Sequence, residues 1–259
     1  MSRFGVLGVL LVAAACSSSP PAESASTSLM VAAAASLQDA FEEIASAYEE
    51  ETGVEIALSF EASSTLRTQI SEGAPVDLFA SADRSNPEQL AEAGLTQGDP
   101  TVFAGNGLAI VVPADGSGGV GAWQALGEPG TRVIAAGEDV PITAYAAELV
   151  DALATQPDAP ADFEATYEEN IVSREDNVRA VLAKLEVGEG DAGVVYETDA
   201  ASSDDVTSVD FPPEANVVAQ YAFVILEDAD PATQAFADWL TGADGQAILE
   251  RFGFRPASA

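Results

Sequence analysis

Residues Leu29 to Gly53, LMVAAAASLQDAFEEIASAYEEETG, decide the architecture, because an apolar run and an amphipathic segment follow one another in a single short unit. Leu29 to Ala34 carries no charge and reads as a strand buried on both faces. Leu37, Ala40, Phe41, Ile44 and Tyr48 then recur at three- and four-residue spacing, which predicts a helix that Ser36 opens and Gly53 stops. A buried strand feeding a helix that covers it begins a mostly parallel sheet.

The unit repeats. Val54, Ile56, Leu58 and Phe60 alternate with Glu55, Ala57 and Ser59, predicting a strand, and a second helix starts near Ser63 with Leu66 and Ile70 inside. Val76 to Ala80 reads as a third strand, and Asn86-Pro87 opens a helix closed by Gly94. Further strands are expected at Leu108 to Val112, Arg132 to Ala135, Ala192 to Tyr196, Val206 to Phe211 and Val217 to Leu226. Helices fit Ile142 to Ala154, Glu175 to Glu186, Pro231 to Thr241 and Gln246 to Phe252, with a loop at Pro157 to Pro160.

Ahead of this α/β region, Arg3 and the apolar run Phe4 to Ala15 read as an export leader, too short to stay in a bilayer as a spanning helix. Ala13-Ala14-Ala15-Cys16 resembles a bacterial lipobox, so residues 1–16 are expected to end in an acylated Cys16 that anchors the chain to the cell membrane. Residues 17–28 are Ser, Pro, Ala, Glu and Thr and read as a flexible tether. Cys16 is the single cysteine, so an exported fold has no disulfide and depends on its core.

The 43 acidic residues outnumber the 9 basic ones and give a formal charge of −34, which argues against a nucleic-acid partner. Histidine is absent, which removes Ser-His-Asp and Cys-His hydrolases and His-ligated zinc. Neither a Gly-x-Ser-x-Gly elbow nor a P-loop occurs. A non-enzymatic protein is the expectation; the competing reading is a lipid-anchored hydrolase working through carboxylates such as Asp77 and Asp83.

Ligands of such folds lie beyond the carboxyl ends of strands, where helix N-termini point free amides at them. Ser36 follows the first strand, and Ser63-Ser64-Thr65 follows the second. Taken alone, each serine reads first as a plain helix cap and only second as a ligand contact.

Several stretches resemble the molybdate-binding component of molybdate ABC transporters. They are Val31 to Leu37, FEASSTL at Phe60 to Leu66, APVDLFASAD at Ala74 to Asp83, Val194-Val195-Tyr196 with Thr198-Asp199-Ala200, and the closing Ala247 to Phe254. The resemblance runs over residues 29 to 254 and implies a type II periplasmic-binding-protein fold, two α/β lobes joined by two crossovers. It places lobe I at 29–105 plus 222–259 and lobe II at 106–221, with hinges near Gly105-Asn106-Gly107 and Gln220-Tyr221. By the same resemblance, a molybdate or tungstate ion is held by Ser36, Ser63, backbone amides at Ile142 and Val178, and the Tyr196 phenol. No cofactor and no direct metal ligand are implied, since the metal arrives as an oxyanion. The implied partner is the permease of an ABC importer, and the protein is expected to be a monomer.

Two positions depart from the family. Thr143 stands where relatives usually have glycine, and Glu61 where they carry a neutral residue; alternation along Val54 to Phe60 predicts that Glu61 faces away from the core and the anion. Arg67 and Arg179 are candidates to tune the field nearby. A shell of donors suits molybdate and tungstate, which carry no proton near neutral pH, and disfavours phosphate, which does. Sulfate presents the same acceptors, so only ionic radius separates it and it remains the nearest rival ligand.

Overall fold

In a computed structural model, the chain is described over residues 28–257 together with Met1; the leader, Cys16 and the tether up to residue 27 lie outside the described residues. Strand β1 (Ser28–Ala34) runs through a 3-10 turn at Ala35–Leu37 into α1 (Gln38–Thr52). Gly53 ends that helix in the left-handed region at φ +74°, which a side chain would resist. Then come β2 (Glu55–Glu61), α2 (Ser63–Ser71), β3 (Leu78–Ser81), α3 (Ser85–Glu92) and β4 (Thr101–Asn106). The middle of the chain forms β5 (Leu108–Pro113), β6 (Val133–Ala136), α4 (Pro141–Ala154), α5 (Phe163–Asn170), β7 (Ile171–Glu175), α6 (Val178–Glu186), β8 (Ala192–Tyr196), α7 (Glu197–Ala201) and β9 (Val206–Val209). It closes with β10 (Ala219–Ile225), α8 (Thr233–Thr241), α9 (Ala243–Arg251) and β11 (Arg255–Pro256).

These strands form two sheets, ordered β11-β4-β10-β3-β1-β2 and β7-β6-β8-β5-β9. Each sheet with its helices is one lobe. Neighbours β1–β2, β1–β3, β6–β7 and β6–β8 are parallel, while β10 and β5 pair antiparallel to theirs. The chain crosses between sheets at Gly107 and returns through residues 210–218. Asn216 ties the two crossings together, its side-chain oxygen accepting from Leu108 N at 3.0 Å. Gly105 and Asn106 pair with Gln220 and Ala219 in the β4–β10 ladder, so the two connections run side by side.

The helices pack as their apolar spacing requires. Phe41 and Ile44 of α1 are fully buried on the first sheet, and Phe41 meets Phe103 edge-on at 6.1 Å. In the second lobe β6 and α6 crowd β8 so closely that a Cβ on Gly193 would stand 2.8 Å from the Ile134 carbonyl oxygen and 2.9 Å from Leu185 Cδ1.

The structure corrects several sequence expectations. The helix expected from Glu175 begins at Val178, because Ile171–Glu175 is the edge strand β7, its residues alternately half-buried and exposed. The strand expected to reach Phe211 stops at Val209, before Pro212-Pro213. Strand β4 and helix α5 lie where no element was expected: Thr101–Asn106 gains its place only by pairing with β10 and β11, and α5 has Phe163 and Tyr167 as its large apolar anchors. Among the described residues, no helix is long and apolar enough to cross a membrane.

Candidate functional site

Register brings the site together. Ala34 of β1 pairs with Glu61 of β2, and Ala33 with Ala80 of β3, so the residues just past these strands emerge at one edge. Facing them, β6 and β7 end at Ala136 and Glu175 and lead to the starts of α4 and α6, while β8 ends on Tyr196 itself. Between the two edges is a cavity of about 10 Å³, which Ser36, Ser63, Ile142, Val178 and Tyr196 all line, with Ala34, Ala35, Ala62, Ala82, Val140, Pro141 and Asn177. Organic ligands fill pockets of roughly 300–1,000 Å³; this space suits one compact ion.

The lining offers hydrogen-bond donors. Ser63 is the first residue of α2, Ile142 the second of α4 and Val178 the first of α6. Their amides have no intrahelical acceptor and sit at the positive ends of helix dipoles. Asn177 caps α6 by accepting from Ala180 N at 3.0 Å, which leaves the Val178 amide unused. The Ser63 hydroxyl oxygen accepts from Ala82 N at 3.1 Å, so its proton is free. Ser36 Oγ lies 2.8 Å from the Tyr221 phenol. Neither serine is a helix cap: Leu37 and Ala62 occupy those positions, without side-chain cap bonds.

Tyr196 is 1 % exposed, and its hydroxyl has no hydrogen-bond partner among the described residues. A buried hydroxyl left unpaired costs roughly 1–3 kcal/mol, and this one borders the cavity as an unused donor. Burial raises its pKa well above the usual phenol value, so it stays a neutral donor. Apart from this phenol, no ionisable side chain lines the cavity.

Both departures from the family pattern have a physical account. Thr143 Oγ1 donates toward the carbonyls of Gly137 at 2.8 Å and Ala136 at 3.2 Å, stitching the start of α4 to the end of β6. Glu61 is half-buried at the end of β2 and does not line the cavity. Of the two arginines, Arg67 donates to Asn86 Oδ1 at 2.9 Å, away from the lining. Arg179 borders an adjoining groove with Ser36 and Asp39. Asp77 and Asp83 lie before and after β3 and are engaged structurally: Asp77 accepts from Met30 N at 2.7 Å and Asp230 N at 2.8 Å, and Asp83 from Asn86 N at 3.1 Å and Ser81 Oγ at 2.7 Å. Among the described residues no group of three or more His, Cys, Asp or Glu could hold a metal ion.

Sequence reasoning named Arg179 as a tuner of the field and Asn106 and Tyr221 as hinge positions, and missed the contacts that join them behind the cavity. Arg179 reaches Asp39 of the first lobe at 2.5 Å and approaches Asp199 of its own lobe at 3.0 Å, the latter without hydrogen-bond alignment. Asp199 is fully buried, and burial pushes its pKa up to about 6 against the lowering effect of Arg179 and the Tyr196 amide. Tyr221, Asn106 and Thr198 form a buried polar group next to Ser36. Their hinge positions and their place in the resembling stretches are legible in the sequence, but neither says what these polar side chains face.

The profile of the bacterial extracellular solute-binding proteins matches residues 29–255. This chain belongs to that family. A molybdate-binding protein ModA of Mycobacterium tuberculosis (strain ATCC 25618 / H37Rv) is 37 % identical to the binding protein over 224 residues, covering 85 % of this chain and 81 % of its own. The substrate-binding domain of a putative molybdenum ABC transporter from Clostridium difficile superposes with a TM-score of 0.66 at 28 % identity, over 90 % of this chain and 100 % of its own. The sulfate-binding protein SubI from Mycobacterium tuberculosis H37Rv superposes with a TM-score of 0.77 at 22 % identity, over 89 % and 87 %, and shows the shared two-lobed fold alone.

Proposed function

We propose that the protein captures molybdate or tungstate between its lobes and delivers it to the permease of an ABC importer, held outside the cell membrane by lipid on Cys16. The observation that carries this is one uncharged cavity into which both lobes bring hydrogen-bond donors, including the unpartnered hydroxyl of buried Tyr196. Ser36 and Ser63 contribute from lobe I, and the Ile142 and Val178 amides and Tyr196 from lobe II. The relatives that the chain resembles at 37 % and 28 % identity are named for molybdate and molybdenum, which supports the same ligand.

Charge is the apparent obstacle, because a dianion meets a chain of −34. Salt screens that repulsion beyond about 8 Å at physiological strength. Inside the cavity each hydrogen bond to a charged oxygen is worth roughly 1.5–3 kcal/mol, and several act together. The second reading is sulfate, which presents the same charge and the same acceptors to a donor-only cavity; ionic radius separates the two.

Thermal melting with molybdate, tungstate, sulfate and phosphate tests the proposal. Ligand at a hundredfold above Kd adds about 2.7 kcal/mol. For a chain of this size the melting point rises by roughly 5–11 °C. Molybdate and tungstate are expected to produce that shift and phosphate none. A larger shift with sulfate than with molybdate establishes the second reading, and no shift with any of the four refutes both.

A further inference from the structure

Behind Ser36 runs a buried line of polar side chains that spans both lobes. Ser36 Oγ lies 2.8 Å from Tyr221 Oη; Asn106 Nδ2 lies 3.4 Å from the same phenol and 2.9 Å from Thr198 Oγ1. Tyr221 and Asn106 are fully buried, on the paired strands β10 and β4 that lead into the lobe crossings. We propose that this line is a one-way hydrogen-bond relay in which Asn106 and Tyr221 are positioning residues, holding the Ser36 hydroxyl as a donor toward the cavity so that the site selects fully deprotonated oxyanions. The inference rests on the oxyanion reading of the cavity and adds to it the source of the selectivity.

Direction follows from which atoms can donate. An amide nitrogen has two hydrogens and accepts nothing, so Asn106 Nδ2 gives one to Thr198 and one to Tyr221. The Tyr221 phenol is therefore an acceptor on that side, and its own proton goes to Ser36 Oγ. That proton is present, because burial raises the phenol's pKa well above its ordinary value. Ser36 cannot turn its hydrogen back toward a group that is donating to it, and the cavity is left as the side that needs it.

The Asn106 orientation is itself decided by satisfaction. Asn106 Oδ1 has no partner among the described residues. Flipping the amide would put the nitrogen there, stranding two buried donors in place of one acceptor, which is the costlier arrangement. Ser63 is prepared in the same manner from another source, since the Ala82 amide donates to its oxygen. Both serine hydroxyls are thus supplied from behind and keep a proton for the ligand. Hydrogen phosphate, which must place its own proton against an acceptor, meets donors at both.

The test compares the full chain with its Tyr221→Phe and Asn106→Asp variants by calorimetric titration with molybdate and with phosphate near neutral pH. Apo melting curves run alongside report on folding. Tyr221→Phe frees Ser36 to rotate, so molybdate affinity is expected to fall about three- to tenfold, the range of one hydrogen bond. Phosphate affinity does not fall with it, and the molybdate-to-phosphate ratio contracts. Asn106→Asp places an acceptor beside Tyr221 and reverses the relay, turning a Ser36 lone pair toward the cavity. That ratio is expected to contract further than in Tyr221→Phe; the ratio is the readout because added negative charge weakens both anions. Equal loss of both anions in Tyr221→Phe, or an unchanged ratio in either folded variant, overturns the relay and leaves the oxyanion site standing. A wild-type chain that binds neither molybdate nor tungstate overturns the site reading instead.

Discussion

Replacing Arg179 by Met removes a cation that serves two carboxylates in different lobes. Its guanidinium meets Asp39 at 2.5 Å across the lobe boundary and stands 3.0 Å from the fully buried Asp199. The Asp39 pair is partly exposed, so losing it costs at most about 1 kcal/mol. The larger effect is on Asp199, which keeps one hydrogen bond, from Tyr196 N at 3.3 Å. Stranding one member of a buried pair costs roughly 3–5 kcal/mol, and the carboxyl relieves part of that by taking up a proton, which holds the loss near the lower end. At about 3 kcal/mol the apo melting point drops by roughly 6–12 °C near neutral pH.

The pH dependence of this loss has a definite sign. Burial raises Asp199 from 3.8 to about 6 in the folded protein, so its contribution to stability is fully present below 3.8 and is lost as pH rises through about 6. Without Arg179 the folded pKa moves higher still, and the loss deepens above that point. The gap in melting point between wild type and Arg179→Met is therefore widest near neutral pH and narrows as pH falls through about 6. Melting curves of both proteins and of the double variant Arg179→Met/Asp199→Asn across that range measure it. The double variant is expected to recover most of the loss at neutral pH. A gap that does not change with pH, or a double variant no better than Arg179→Met, refutes the reasoning.

Tyr196→Phe is expected to lower molybdate affinity by at least about tenfold, one charge-assisted hydrogen bond, while leaving the apo melting point unchanged or slightly raised, because the deleted hydroxyl has no protein partner; titration and apo melting check both halves. Ser63→Ala behaves differently. It is expected to weaken molybdate at least about tenfold and also to cost roughly 1–3 kcal/mol of apo stability, since the Ala82 amide loses the oxygen it donates to. Gly193→Ala is expected to destabilise by about 1–3 kcal/mol in denaturant unfolding, because its Cβ would press on the Ile134 carbonyl, which cannot move without moving β6.

Local sequence signals served well wherever one element explains itself. The spacing from Leu37 to Tyr48 is a helix face, and the helix stops at Gly53 as its position demands. That Ser36, Ser63, Ile142, Val178 and Tyr196 come together was legible through resemblance, since strand ends and helix starts are local features, and all five line one cavity. Elements held by distant partners were not legible. Strand β4 contains Gly105 and Asn106, poor strand formers that pairing with β10 stabilises. The helical expectation from Glu175 overlooked that β7 is an edge strand, with Val172 exposed in place of an apolar face. Ser36 and Ser63 read first as caps, and what removes that reading is the placement of Leu37 and Ala62 at the cap positions, which no local pattern announces.

The sheet order has a consequence for how the chain acquires its shape. Strand β10 sits between β4 and β3, yet it is made after all of residues 108–209. Until it arrives, the first sheet is two fragments with open edges that neither can cover. The second sheet draws all five of its strands from one continuous stretch and has no such wait. As the chain emerges from its N-terminus, the later-made half is the first able to complete itself, and the half that begins the protein is also the last to be finished.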